Sequence, residues 1–189
     1  MTGSMKAWSA AMALTLAAGT VQAAEPQVKA PAPAKPVDLN RLYSGSWVEV
    51  ARHPTKITRS CFDGGISYEV VEPARIKARD YCHAEKADGK LRSISGSGTI
   101  QDPGFNAKTH ITYRFMGFIP VTQDRWVLDH ADDYSWFIQA DPAFENMWIF
   151  TRDAHVDPAL LKELIARAKA LGYDPAQLEF PGQVRAAAR

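Results

Sequence analysis

Cysteine is scarce: Cys61 and Cys82 are the only two in 189 residues. Two thiols exclude a disulfide-dense mini-scaffold and a four-cysteine zinc site. A surplus of one charge is lacking too. Lys and Arg number 22 against 21 Asp and Glu. No basic excess is available to hold a nucleic acid by counterion release, and no acidic excess keeps the chain unfolded. Beyond the N-terminus no apolar run approaches the roughly 20 residues of a membrane helix. The five histidines, His53, His83, His110, His130 and His155, form neither H-x-x-x-H nor H-E-x-x-H. No metal or cofactor is therefore read from the sequence, and solvent-facing or turn histidines are the expectation. Gly96-Ser97-Gly98 lacks the G-K-S/T of a phosphate loop, and no serine sits in a G-x-S-x-G elbow.

What is present begins with an address. Residues 1–23 carry Lys6, a short apolar run from Ala7 to Ala18, and small residues at Val21-Gln22-Ala23. That order reads as a secretory signal cleaved after Ala23, which places the mature protein in the periplasm or outside the cell. No cysteine follows the run, so no lipid anchor is expected. Residues 24–36, AEPQVKAPAPAKP, hold four prolines among alanines. They read as a polyproline-like linker, since proline supports neither helix nor sheet ladder. The body follows from about residue 37 to 180, and residues 181–189 read as a flexible tail.

From Ser46 to Arg152 short alternating segments are separated by turn residues. The expected strands are Ser46–His53, Gly65–Val71, Arg75–Cys82, Arg92–Gln101, Lys108–Phe115, Arg125–His130, Tyr134–Ala140 and Asn146–Arg152. Gly117 to Gln123 reads as a link. Parallel crossovers are absent, so the class is all-β: an eight-stranded up-and-down antiparallel β-barrel. The period then changes. Asp157 is an N-cap, Pro158 fits the first helical position, and Leu160, Leu161, Leu164, Ile165, Ala168 and Leu171 recur at helical spacing before Gly172. One amphipathic C-terminal helix is expected, packed outside the barrel.

These pieces, in this order, resemble the lipocalin family, and in particular its bacterial branch of outer-membrane lipoprotein and apolipoprotein D-like members. Gly45-Ser46-Trp47 is similar to the family's G-x-W. Asp102 to Lys108 resembles the bacterial D–E turn. Asp133-Tyr134 stands where the family has its D-Y pair, and Trp148 to Arg152 resembles the W-I-L-x-R ending. Val48 departs from the usual Tyr, and His130-Ala131 from the usual Thr ahead of the D-Y pair. The resemblance implies that Val37 to Tyr43 closes the barrel floor, with Arg152 laid against Trp47. It also implies a cup for one small hydrophobic ligand.

Strand parity assigns faces. Thr109, Ile111, Tyr113 and Phe115 form one face of the fifth strand, taken as inside. Trp148, Phe150 and Arg152 share a face, with Met147 and Ile149 opposite. The family's parity puts Ser135, Phe137 and Gln139 inside, leaving Trp136 and Ile138 to meet Leu160, Leu164 and Ile165 of the helix. Trp47, Glu49 and Ala51 share parity on the first strand. Residues 125–128 stay open: amphipathicity favours Trp126 and Leu128 inside, the resemblance Arg125 and Val127. The candidate cup is thus Ile111, Tyr113, Phe115, Phe137, Trp148 and Phe150 with few polar groups, suited to an apolar ligand whose polar end lies near the mouth. Arg125, if inward, would receive a carboxylate or phosphate. Glu49 is either an inward carboxylate of raised pKa or a partner of Arg or backbone near the floor.

Cys61 and Cys82 flank a hairpin turning at Glu72-Pro73, which brings them together. A disulfide is expected in an exported chain. The functional expectation is a carrier of a fatty acid or lysophospholipid in envelope lipid handling, not an enzyme. It would be a monomer or homodimer, with peripheral membrane contact open. Two rivals remain. One is a lipid-modifying enzyme using Glu49, Tyr113 or a free Cys82. The other is a partner-docking protein using the Pro-rich segment.

Overall fold

The alternation of apolar and polar side chains closes on itself. The computed structural model describes residues 29–182; the expected signal sequence, the start of the linker and the tail beyond Gly182 lie outside them. A short helix α1 (Leu39–Leu42) precedes β1 (Gly45–Arg52), β2 (Gly65–Glu72), β3 (Arg75–His83), β4 (Leu91–Ile100), β5 (Lys108–Phe115), β6 (Ile119–His130), β7 (Trp136–Ala140) and β8 (Met147–Thr151). Each strand pairs antiparallel with the next, and β1 pairs with β8, so the sheet is a closed barrel. Closure removes both edges that an open sheet would expose.

Two departures from the expected strands have local causes. β6 begins at Ile119, six residues before the expected Arg125, and pairs as far as Arg114–Pro120 and Phe115–Ile119. Pro120 lies on the stretch of β6 that β7 does not reach, where a strand tolerates a residue without an N–H. On β1 the register against β8 shifts between Glu49 and Ala51. The shift turns both Val50 and Ala51 outward into the outer cluster, so Ala51 does not share the inward face of Trp47.

The outer cluster is built under helix α2 (Pro158–Ala170). Asp157 accepts from the Ala159 amide at 2.7 Å, Pro158 opens the first turn, and Gly172 follows the end with φ +95°. Leu164 and Ala168 are fully buried, with Leu160, Leu161 and Leu171 half-buried beside them, against Trp136, Ile138, Met147 and Ile149. The buried stripe therefore runs through Leu164 and Ala168, with Ile165 at its flank. Arg167 lies 4.9 Å from the Trp136 ring and pairs with Asp129 at 3.0 Å. Residues 29–36 follow the barrel wall: the Lys29 and Ala30 amides donate to the Pro142 carbonyl, and the Lys35 ammonium to the His130 carbonyl. Pro181 and Gly182, read as the start of a free tail, are buried, and the Gly182 amide donates to the Phe62 carbonyl.

At the floor, the Arg152 guanidinium lies 3.5 Å from the Trp47 ring centroid and donates to the carbonyls of Ser44, Ser46 and Arg41. The Trp47 indole N–H donates to the Leu42 carbonyl at 2.9 Å. Gly45 sits at φ +67° directly beneath the guanidinium. Tyr134 takes φ +58°, which aims its hydroxyl at the Asp38 amide, 2.6 Å away. Asp133 accepts from the Ser135 amide at 2.9 Å, and the Ser135 side chain, followed by that amide, holds its carboxyl below the usual range. The floor is thus sealed by the five residues that carried the resemblance.

At the other end, Cys61 and Cys82 form a disulfide with Cα atoms 5.6 Å apart. It ties the β1–β2 loop to β3. Arg52, also buried, anchors the same loop by donating to the carbonyls of Thr58, Cys61 and Asp63. Its remaining bonds go to Glu49 at 2.7 Å and Glu179 at 2.6 Å. Burial opposes the Arg52 charge, and the two carboxylates outweigh it. Burial pushes the Glu49 carboxyl from 4.5 up to about 7 against the pull of Arg52.

Denatured, unreduced protein should show no free thiol. The Cys61→Ser/Cys82→Ser variant should unfold about 3 kcal/mol more easily in denaturant; finding two thiols would sink the bridge. For Glu49, the folded carboxyl binds more protons than the unfolded one between pH 4.5 and about 7. Its stabilising contribution is present below that window and lost as pH rises through it. From pH 5 to pH 8 the wild-type Tm should therefore fall further than that of Glu49→Gln, by on the order of 5 °C. Parallel Tm–pH curves would contradict this.

Candidate functional site

The inner faces of the strands meet in a second, separate cluster. Trp47, Ile76, Ile111, Val127, Phe137 and Phe150 fill its lower part, with Leu42 and Tyr43 beneath. Phe137 stacks on Phe150 at 4.8 Å and meets Trp47 edge-on at 4.7 Å. These aromatics pack on one another above the floor.

Above them lies a polar belt. Arg125 faces inward, with Val127 beside it, while Leu128 and Trp126 join the outer cluster. The parity carried by the resemblance holds, and amphipathicity misleads because both faces of β6 are buried. Arg125 is not an open anion receptor. Its guanidinium pairs with Asp80 at 3.0 Å and donates to Gln123 Oε1 at 2.7 and 2.9 Å. It also lies 5.0 Å from the Trp148 ring and 5.6 Å from the Tyr113 ring. Burial works against its charge; Asp80 and the Tyr113 and Tyr68 hydroxyls outweigh that and raise its pKa.

Around this pair, five buried side-chain atoms have no hydrogen-bond partner: Tyr68 Oη, Tyr113 Oη, Asp80 Oδ2, and Oε1 and Nε2 of Gln139. Tyr68 lies beside Gln139 and Arg125, and Tyr113 beside Asp80, near enough for a hydrogen-bonding influence, but none of these contacts has the geometry of a well-formed bond. An unsatisfied buried polar atom costs about 1–3 kcal/mol, so five in one belt are a concentrated expense. Burial pushes the Tyr68 and Tyr113 phenols up, which keeps both as protonated donors. The belt therefore offers hydroxyl and amide donors together with carboxylate and amide acceptors. Glu49 also lies on the inner wall, held by Arg52 on the side away from the floor.

Of the candidate cup, Ile111, Tyr113, Phe137, Trp148, Phe150 and Arg125 converge in the interior. Phe115 does not. It has the inward parity, but β4 pairs with β5 only up to Tyr113, and Phe115 stands on the rim, 53% exposed. The expected shortage of polar groups is also corrected. Tyr68 and Asp80 were missed, although each stands in phase with apolar neighbours, Ile66 and Val70 on β2 and Ile76, Ala78 and Cys82 on β3. Cys82, the thiol an enzymatic reading would use, is committed to the disulfide. His130, expected in solvent or a turn, is buried between the Ala131 and Pro36 carbonyls. Among the described residues no group of His, Cys, Asp or Glu is arranged to hold a metal ion.

A groove of about 410 Å³ lies outside the barrel over β2–β5. Its walls are mainly outward side chains, among them Lys77, Arg79, Ser95 and Arg114, and it shares only Tyr68, Ala78 and Gly96 with the inner face.

Comparison with known proteins agrees with this architecture. Temperature-induced lipocalin-1 of Arabidopsis thaliana is 29% identical over 141 residues, 72% of this chain and 74% of that protein. The outer membrane lipoprotein Blc of Vibrio cholerae is 25% identical over 162 residues, 81% of this chain and 88% of that one. Insecticyanin from the tobacco hornworm Manduca sexta shares the fold with a TM-score of 0.62 at 17% identity, over 79% of this chain and 82% of that one. A biogenic amine-binding protein superposes with a TM-score of 0.61 at 12% identity, covering 84% and 94%. The model of the lipocalin-like domain matches residues 37–183, the span from the floor helix through the C-terminal helix, and the chain belongs to that family.

Proposed function

We propose that the protein carries a small amphiphile, a fatty acid or lysophospholipid, in the barrel with its head at the polar belt and its tail toward the mouth. The observation that carries this reading is the belt of five buried polar atoms without a well-formed hydrogen bond, set above a packed aromatic floor. A head that both donates and accepts satisfies three of them: its oxygen accepts from the Tyr68 and Tyr113 hydroxyls, and its hydroxyl donates to Asp80 Oδ2. A protonated carboxylic acid and the glycerol end of a lysophospholipid share that chemistry. Asp80 already neutralises Arg125, so the belt favours an uncharged or zwitterionic head over a bare carboxylate. The tail then lies along Ile94 and Val121 to Phe115 at the rim. This reverses the orientation expected from the sequence. Apolar burial of the tail supplies about 25 cal/mol per Å² before the costs of association. No covalent step is involved, and the role that follows is uptake and release of envelope lipid.

The test is a fluorescence titration of delipidated protein with palmitic acid and with lysophosphatidylcholine, supported by native mass spectrometry. Tyr68→Phe/Tyr113→Phe should weaken binding on the order of tenfold, since two hydrogen bonds of about 0.5–1.5 kcal/mol are lost. The same variant should be no less stable without ligand, because it removes two unsatisfied hydroxyls. Unchanged affinity would overturn the head-in arrangement. Binding of neither ligand by wild type would overturn the carrier reading.

A further inference from the structure

The open end of the barrel is unlike the rest of the surface. β5 and β6 run from the floor to a hairpin tip at the mouth, and this tip carries Phe115, Met116, Phe118, Ile119 and Val121 in solvent. Met116 is 71% and Phe118 69% exposed. Ile57 on the β1–β2 loop, 83% exposed, and Leu91 at the start of β4 stand at the same end. Soluble domains rarely leave large apolar side chains gathered in one place unless the patch has a partner. The backbone is shaped for this display: Met116 and Gly117 both take positive φ, 52° and 83°. The turn is a tight one that projects its side chains instead of folding them back.

Charge is sorted along the same axis. In the loops at the open end, Lys56, Arg59, Lys86, Lys90, Arg92 and Arg114 are exposed, against the exposed carboxylates Glu85, Asp88 and, on the β7–β8 loop, Glu145. Asp88 is taken up by Lys86 at 3.3 Å, and Asp63 of the same end is engaged by His83. Arg79 extends the cationic surface down the outer wall behind the hairpin, beside Arg114. The floor end instead exposes the carboxylates Asp38, Glu72, Asp132, Asp133 and Asp153 against the guanidinium groups of Arg41 and Arg75. Over the whole chain the formal charge is only +1, so the excess at the mouth is a matter of placement.

We propose that the protein docks mouth-first on an anionic phospholipid surface, with the β5–β6 hairpin entering the interface and the ring of Lys and Arg side chains meeting the headgroups. An apolar tip alone would fit another protein or a second copy of this chain. The cationic ring around it is what selects a negatively charged lipid surface, since burial of a few apolar side chains plus attraction to anionic lipid is the usual basis of interfacial binding. The floor, where exposed carboxylates outnumber exposed guanidinium groups, orients the barrel the same way by pointing from the membrane. Docking in this pose sets the rim residue Phe115 against the lipid. The proposal does not depend on what the cup holds.

The experiment is co-sedimentation of the delipidated mature protein with vesicles of phosphatidylcholine and phosphatidylglycerol at 3:1, against vesicles of phosphatidylcholine alone. Wild type should bind the mixed vesicles at least about tenfold more strongly, and the preference should fall steeply in 0.5 M salt. Met116→Ser/Phe118→Ser should lose about tenfold or more on the mixed vesicles. Arg92→Glu/Arg114→Glu should lose the preference for anionic lipid. All four positions are exposed, so circular dichroism and an intact disulfide check the fold. As an independent readout, Phe118→Trp should show a blue-shifted indole emission on the mixed vesicles. Equal binding by the hairpin variant, an unshifted Phe118→Trp spectrum, or no binding by wild type would each overturn the proposal. So would a wild-type dimer that the hairpin variant dissolves, since the tip would then be an interface between copies. Ligand titration in the absence of vesicles separates failure here from failure of the carrier reading.

Discussion

One guanidinium holds the closed end of this barrel. Arg152 leaves the end of β8, lies flat on the Trp47 indole of β1, and donates to carbonyls of Arg41, Ser44 and Ser46. It therefore spans the seam where the last strand meets the first and ties both to the floor helix. A barrel closes only if strand eight returns to strand one in register, and this contact sits at that point. An arginine suits the task because its planar fork bonds several carbonyls while its face covers an aromatic ring. Burial disfavours its charge and lowers its pKa, and the three carbonyls and the indole are the return.

The seal determines what the interior can be. With Trp47, Phe137 and Phe150 packed at the base, the inner space available to a guest lies higher, where inward parity on β2, β3, β5, β6 and β7 delivers Tyr68, Asp80, Tyr113, Arg125 and Gln139. Asp80 and Arg125 are matched to each other, whereas the phenols and the amide lie beside one another and beside that pair without closing a well-formed bond. A barrel built only for stability would have replaced those three by apolar isosteres, because unpaired buried polar groups are a net loss. Their retention is the physical reason to look for a ligand there.

Much of this was legible in the sequence, and the failures share a cause. The eight strands, the helix and its caps, the disulfide and the floor residues each rest on a local pattern: alternation, a capping pair, or a short motif. The inward set on β7 and β8 followed from parity once the resemblance had fixed which phase faces inward. Parity failed wherever the ladder is irregular. The register shift after Glu49 turned Ala51 outward, and the end of the β4–β5 pairing left Phe115 on the rim. The start of β6 reads as a link in the sequence, and the absence of a β7 neighbour there is a property of strand length, not of composition. Amphipathicity failed at residues 125–128 because a helix covers the outside, so both faces are buried. Asp80 and Tyr68 stood in plain sight on apolar phases, and their importance lies in pairings across strands far apart in sequence.

The two ends of the molecule answer different demands. Sealing the floor needs buried aromatics, fixed hydrogen bonds and left-handed backbone at Gly45 and Tyr134. Exchange of a guest needs the reverse at the mouth. There the β1–β2 loop is held by a covalent bridge and by Arg52, while the β5–β6 tip projects without a covering layer. A disulfide and a buried ion pair under one side of the rim leave the other side as the natural place for movement. In the proposed head-in pose the guest's tail leaves by that same side, past Val121 and Phe115. An apolar, cation-ringed tip set at that exit shortens the stretch of water an alkyl chain must cross between lipid and cup. Because burial of the tail is the main driving force for binding, shielding it during transfer lowers the barrier to exchange without weakening the bound state.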